Sequence, residues 1–424
     1  MARNILCCTV GGSHQPIITA IKQLKPDYIC FFCTAGKAGS DKQIIGEGKV
    51  IKARHSDEKA TLPNIPVQLG LPAEAYEVVE VPHDELDEAY LVMTHTLQKL
   101  SGRHADENHY ADYTGGTKTM TAALVLAALE HKVELHAVIG HRTDLEKVAD
   151  GTEWGFPASV EQIRFEREMR QQMVAWRAFA YAQASQGLAQ LRSPVKIELR
   201  DRFQLAKTLS DAFDAWDRFD HEKARELLSA CRNSAGARYA DYFKTLTVLT
   251  GNKEKQVPAL LQDLLLNAKR RAAQGRFDDA VARIYRLIEW TAQWVLRREC
   301  GVDTADLPET FIPSGMDIHK NFTGKIQAPL YKSWQLVGKK VKSPAAEYMK
   351  NHGEDLRGIL AYRNNSILAH GTVPIDEAAW GKMSANLEQK FLPYFQEELR
   401  KAGLKKSAPQ LPTDYDWLLG ISDK

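Results

Sequence analysis

The chain has 424 residues, 44% of them hydrophobic and 26% charged, too long for one simple core, which predicts two or three domains. A formal net charge of +2 excludes a global field that recruits nucleic acid, so any RNA contact has to come from a local cluster. No apolar stretch reaches membrane-spanning length, and MARNILCCTV lacks the cationic region and small-residue cleavage site of a signal peptide, so a soluble, cytoplasmic protein without a membrane partner is expected.

In chain order, Asn4 to Val10, Tyr28 to Cys33, Tyr76 to Val81, His109 to Tyr113 and Val133 to Ile139 are short runs rich in β-branched, aromatic or cysteine residues. Helical stretches lie between them, clearest at Glu85 to Leu100 and Thr117 to His131. This alternation predicts an α/β domain over residues 1–155, with a Rossmann-like parallel sheet. In such sheets ligands bind beyond the carboxyl ends of the strands, where the chain order reverses.

The six cysteines (Cys7, Cys8, Cys30, Cys33, Cys231, Cys300) are scattered, and four fall in strand-like runs where free thiols behave as small apolar groups. Cys30-Phe31-Phe32-Cys33 has the spacing of a redox or zinc motif. No second cysteine or histidine pair follows at zinc-site spacing, however, and alternation places residues three apart on opposite strand faces, so packing is the expected role and no metal site is predicted.

The first strand runs into Gly11-Gly12-Ser13-His14-Gln15-Pro16. Paired glycines allow close backbone approach to a ligand, Ser13 is placed to cap a helix starting at Pro16, and proline suits a first helical turn. The fourth strand ends alike, in Thr114-Gly115-Gly116-Thr117-Lys118. Two such turns on one sheet edge would point free N–H groups the same way, which suits phosphate or polar base edges. The alternative is that each is only a capped strand-to-helix connection. Neither matches a Walker A loop or the dinucleotide fingerprint, so ATP hydrolysis and NAD chemistry gain no support.

Past Gly155-Phe156-Pro157 the texture turns helical: Val160 to Gln190, Gln204 to Ser229, Ala237 to Leu249, Pro258 to Ala273 and Phe277 to Arg298. Ala212 to Trp216 and Ala224 to Leu228 resemble one hairpin of a helical repeat, yet no second copy follows at a fixed period, so 156–255 reads as a helical linker and 256–424 as a further helical domain. Asp303 to Ala328, with Pro308, Pro313, Gly315 and Gly324, predicts a long loop, with helices resuming near Tyr331.

Within the last domain, Arg363 and His370 stand out. On a helix, positions seven apart are two turns apart and fall within about 20° of one another. Arginine is the fork-shaped donor for phosphate and histidine the proton-transfer group suited to neutral pH, so the pair could cleave RNA at its own 2′-OH without a metal. The alternative is an exposed arginine and a helix-terminal histidine stopped by Gly371. Arg283 and Arg286, with Trp290 and Trp294 nearby, could line an RNA groove; equally, the tryptophans are core and the arginines salt-bridged.

Glycine-rich turns after the first and fourth strands, with Gly140-His141-Arg142-Thr143-Asp144 after the fifth, resemble the CARF domain of CRISPR-associated effectors over residues 1–155. The resemblance implies an allosteric activator, cyclic oligoadenylate, held across a homodimer by Gly11, Gly12, Ser13, Thr114, Gly115, Gly116, Thr117 and Lys118, with tetra-adenylate favoured over hexa-adenylate. Arg363-Asn364 with His370 is similar to the HEPN ribonuclease signature, and Ala273 to Glu289 looks like the long HEPN helix packed beneath it. Together the halves resemble the ancillary ribonucleases of type III CRISPR systems, which implies antiviral defence by a metal-independent endonuclease of single-stranded RNA that leaves 2′,3′-cyclic phosphates and needs no cofactor. Two other classes remain open: a non-catalytic CARF sensor or regulator, and a toxin-type HEPN ribonuclease without ligand control.

Overall fold

In a computed structural model, the structure describes residues 3–37, 39–46, 63–131, 133–140, 142–144, 147–148, 153–194, 196–251, 253–368 and 371–420. The chain divides into two compact units, Met1–Phe165 and Glu166–Lys424.

The first unit runs β1 (Asn4–Thr9), α1 (Gln15–Leu24), β2 (Tyr28–Cys33), α2 (Ile65–Leu69), β3 (Tyr76–Glu80), α3 (Leu86–Arg103), β4 (Asn108–Asp112), α4 (Lys118–Glu130), β5 (Glu134–Ile139), a small hairpin of β6 (Arg142–Asp144) and β7 (Lys147–Val148), and β8 (Trp154–Ala158). The sheet order is β3-β2-β1-β4-β5-β8. The five expected strands are parallel, and β8 adds an antiparallel sixth on the edge beside β5. Its Trp154-Gly155-Phe156-Pro157 is not among the five expected runs; proline cannot donate to a ladder, but an edge position tolerates it.

Strands β1 and β2 are buried along almost their whole length because both sheet faces are covered. Ile5, Cys7, Cys30 and Phe32 join the core under α3 and α4, while Leu6, Cys8, Phe31 and Cys33 face the other way, with Ile17 and Ile18 of α1 and Ile65 of α2. Cys30 and Cys33 thus lie on opposite faces, as alternation requires. Burial pushes the Cys33 thiol up to about 12, the charge of Asp41 adding to it and the Ser40 hydrogen bond opposing it. Among the described residues, no group of three or more His, Cys, Asp or Glu is placed to hold a metal ion.

Helix α5 (Glu161–Met173) bridges the unit boundary in sequence. The second unit continues with α6 (Tyr181–Gln190), α7 (Ile197–Asp217), α8 (His221–Ala230), α9 (Arg232–Ala235), α10 (Ala240–Leu249), α11 (Lys253–Ala273), α12 (Phe277–Cys300), α13 (Leu330–Lys340), α14 (Pro344–Asn365), α15 (Glu377–Asn386) and α16 (Leu392–Lys401). Two stretches expected as single helices are broken where a bulky residue takes a left-handed conformation: Phe179 at φ 55° between α5 and α6, and Phe219 at φ 67° between α7 and α8. The long loop expected from Asp303 lies between α12 and α13, and carries one short 3-10 turn at Glu309–Phe311.

The main core of this unit is built by α11 to α16 around Trp334, whose indole N–H donates to the Ile288 carbonyl at 3.1 Å. Trp294 is buried there and Trp290 is half-buried against it. Among the described residues no helix is long and apolar enough to cross a membrane.

Candidate functional site

In the first unit the strand order reverses between β1 and β4: β2 and β3 follow on one side of β1, and β4 and β5 stand on the other. Both glycine-rich turns leave the carboxyl ends of these two neighbouring strands, so they lie side by side at the switch point, where open α/β sheets hold ligands.

The turns touch each other. A Cβ at Gly11 would come within 2.5 Å of the Gly116 nitrogen, one at Gly115 within 2.3 Å of the Thr9 carbonyl oxygen, and one at Gly116 within 2.9 Å of the Thr9 Cβ. Gly116 also has φ 83°, a conformation side chains rarely adopt. Three of the glycines therefore have a packing role before any ligand is considered.

Side chains brace the same turns. The Thr9 and Thr121 hydroxyls donate to the Gly115 carbonyl at 2.6 and 3.1 Å. The Thr114 hydroxyl accepts from the Val138 N–H at 2.7 Å. The Thr117 hydroxyl caps α4 by accepting from Met120 N–H and donates to the His83 carbonyl. Gln43 donates to the Gly12 carbonyl at 3.2 Å. Gly12, Ser13 and Lys118 are left exposed, and among the described residues Lys118 has no ion-pair partner. Ser13 does not cap α1 as expected: the N-cap is His14, without a side-chain cap, and the helix starts at Gln15.

Sequence reasoning missed a buried pair beneath the second turn. Asp112 and His136 face each other in register on β4 and β5, and the Asp112 carboxylate meets His136 Nδ1 at 2.7 Å while its other oxygen accepts from the Thr114 N–H at 3.0 Å. The signal was available: Asp112, the last residue of its strand, is a lone carboxylate two residues before Thr114-Gly115-Gly116. Of the Gly140 to Asp144 segment, His141 lies outside the described residues.

In the second unit Arg363 stands half-buried near the end of α14, its guanidinium 4.8 Å from the centre of the Tyr285 ring on α12, a stacking that fixes the fork. Asn364 is exposed, its side-chain oxygen 3.5 Å from the same guanidinium. Tyr285 is a second residue missed in the sequence; its place on the helix packed beneath Arg363 was the signal.

The helical argument for the Arg363 and His370 spacing needs correction. Helix α14 ends at Asn365, because Ser366 leaves the helical conformation and both its N–H and its hydroxyl donate to the Arg363 carbonyl, at 3.1 and 2.8 Å. The two residues are therefore not two turns apart on one continuous helix. Ala369 and His370 lie outside the described residues. Gly371 N–H donates to the Ser366 carbonyl at 3.1 Å, so the chain beyond α14 doubles back on itself. Around this turn Ile367, Leu368 and Val373 are exposed. A cavity of about 380 Å³ opens beside it, lined by Gly358, Ala361, Tyr362, Val373, Ile375 and Asp376.

Arg283 and Arg286 are both ion-paired, to Asp279 at 3.2 Å and to Glu289 at 2.6 Å.

Comparison with known proteins places both parts of the second unit. Residues 249–391 match the model of the Csm6 HEPN domain, and residues 165–260 match the Csm6 6H domain, so the stretch expected as a linker corresponds to a helical domain. No curated protein matches by sequence. Among solved structures, the chain is similar to Enterococcus italicus Csm6 bound to cyclic hexa-2′-fluoro-hexa-dAMP, with a TM-score of 0.55 and 12% identity over 95% of this chain and 98% of that one, a likeness of fold. A match to Can2 from Sulfobacillus thermosulfidooxidans in complex with cyclic tetra-adenylate has a TM-score of 0.22 and 12% identity over 56% of this chain and 69% of that one, too distant to argue from. The two domain models together span 165–391, and the chain belongs to the Csm6 family, the CARF–HEPN ancillary nucleases of type III CRISPR systems.

Proposed function

We propose that this protein is a homodimeric, metal-independent endonuclease of single-stranded RNA, switched on by a cyclic oligoadenylate bound at the turns after β1 and β4. The observation that carries the reading is Arg363, its guanidinium set on Tyr285 at the end of α14, inside the residues that match a Csm6 HEPN domain. The domains follow as a sensor over 1–155, a helical segment over 156–255 and a nuclease over 256–424.

In this mechanism Arg363 and His370 act on one scissile phosphate, with Asn364 steadying the guanidinium. The ribose 2′-OH attacks the neighbouring phosphorus, histidine accepts its proton, and Arg363 neutralises the pentacoordinate charge through paired N–H donors. The proton taken up by histidine is returned, directly or through water, to the 5′-oxygen as its bond to phosphorus breaks, giving a 2′,3′-cyclic phosphate and a 5′-hydroxyl. The nucleophile is the substrate's own and the charge is met by arginine, so no step calls for a metal ion.

At the sensor, the exposed Gly12, Ser13 and Lys118 are the groups open to a ligand; Gly11, Thr114, Gly115, Gly116 and Thr117 hold the backbone that would present amides to its phosphates or base edges. The solved Csm6 of similar fold carries a cyclic hexanucleotide analogue, which supports this class of activator.

The test is His370→Ala. Cleavage of a fluorescent single-stranded RNA is expected to fall at least about 100-fold while activator binding, measured by calorimetry, stays unchanged. Turnover equal to wild type would remove the assignment of the site.

A further inference from the structure

We infer that the cavity where α7, α11 and α12 meet binds a phosphodiester of single-stranded RNA, apart from the Arg363 turn. The inference rests on the ribonuclease reading above. This cavity, about 480 Å³, is lined among others by Arg218, Phe219, Asn267, Arg271, Arg283 and Arg286. Four guanidinium groups converging on one cavity is a phosphate-binding composition, since each brings five N–H donors in a planar fork.

The donors are held in place, yet not used up. Arg271 is only 9% exposed; it pairs with Asp217 and donates to Gln274 at 3.0 Å, while its Nε is buried without a partner. Burial lowers the pKa of this guanidinium, with Arg283 and Arg276 adding to the effect and Asp217 opposing it. Asp217 also takes Arg270 Nε at 2.7 Å, and Arg270 lies 3.8 Å from Asp263 as well, so two buried carboxylates fix the two arginines in place. Arg283 is oriented by Asn267 and Asp279, Arg218 by Asp214 at 3.0 Å, and Arg286 by Glu289 and by the face of Trp290, 5.4 Å away. Because carboxylates offset much of the charge, fixed donors rather than a strong field would hold the phosphate, which suits a substrate that has to leave.

The neighbouring residues favour an RNA strand over an isolated anion. Half-buried Phe219 and Trp290 supply apolar faces beside the arginines, the pairing of stacking surface and cation that single strands use. Arg286 follows Tyr285 on α12, about 100° further round the helix, so the cavity and the ring beneath Arg363 lie on neighbouring faces of one helix. A strand with one phosphate in the cavity would run along this segment to the cleavage turn.

The experiment uses the full chain, a fluorescein-labelled 2′-O-methyl oligonucleotide, which lacks the nucleophile and stays intact, and fluorescence anisotropy at several salt concentrations. Arg218→Gln with Arg286→Gln, both rim positions with side chains 62% and 48% exposed, should bind the oligonucleotide about 5- to 10-fold more weakly, with a shallower salt dependence. Equal affinity and salt slope in a variant with an unchanged melting curve would overturn the proposal, as would a labelled ATP that binds as tightly as the oligonucleotide. A wild type that binds in this arginine-dependent way yet fails to cleave all-ribose RNA would instead overturn the nuclease reading and leave the cavity assignment standing.

Discussion

In the proposed mechanism Arg363 works through geometry: its guanidinium lies 4.8 Å from the centre of the Tyr285 ring, which would leave the edge of the fork for a phosphate. Lysine has neither the plane nor the fork. Arg363→Lys should therefore lose nearly as much kcat as Arg363→Ala, at least about 100-fold, although the charge is kept; near-wild-type turnover by the lysine variant would show that charge alone suffices. Cys33 offers a residue-level test of the sensor core. Its folded value near 12 lies above its ordinary value of 9, so the fold favours the protonated thiol. The stability this contributes is complete below pH 9 and is lost as the pH rises toward 12. In denaturant titrations, wild type should lose on the order of 2 kcal/mol more than Cys33→Ala between pH 8 and 10.5; identical losses would refute it. At this scale the sequence was readable where chemistry is local, as with Thr117 as a cap. It was unreadable where the partner is distant in the chain, as with Asp112 and His136 or Arg363 and Tyr285.

At the scale of elements, the five parallel strands were legible: β1 and β2 because burial on both faces demands continuous apolar runs, β3 and β4, which are only partly buried, from their β-branched or aromatic residues. Strand β8 was not, since an edge strand with Gly155 and Pro157 obeys looser rules. The end of α14 was also hidden: Ser366-Ile367-Leu368 continues a helix-like composition, and the stop comes from Ser366 bonding back to Arg363. The β4 to α4 turn can be dissected by two substitutions with opposite physical consequences. Gly116→Val forces a branched side chain into φ 83° and into Thr9, which should destabilise the sensor by about 1–3 kcal/mol and raise the activator concentration for half-maximal cleavage. Lys118→Ala removes an exposed cation, so it should raise that concentration with no change in melting temperature. Activator titrations superimposable on wild type for both folded variants would leave the turn as a helix cap and nothing more.

For the whole molecule, a change of texture near residue 155 was legible between two short motifs and lies close to the division of the two compact units at Phe165, while the Csm6 domain models cover residues 165–391. The helical stretch between the motifs carries none of its own, so composition alone could not mark it as a domain. An effector acts only through its differential affinity for the active state, so sensor and nuclease are coupled only if cleavage responds to the activator. The most direct measurement is the cleavage rate of a fluorescent single-stranded RNA in EDTA, with no activator, with cyclic tetra-adenylate and with cyclic hexa-adenylate. Cleavage that rises at least about tenfold with one of the two rings, persists in EDTA and leaves 2′,3′-cyclic phosphate ends is the predicted result. Cleavage indifferent to both rings, or abolished by EDTA and restored by Mg²⁺, would contradict the account.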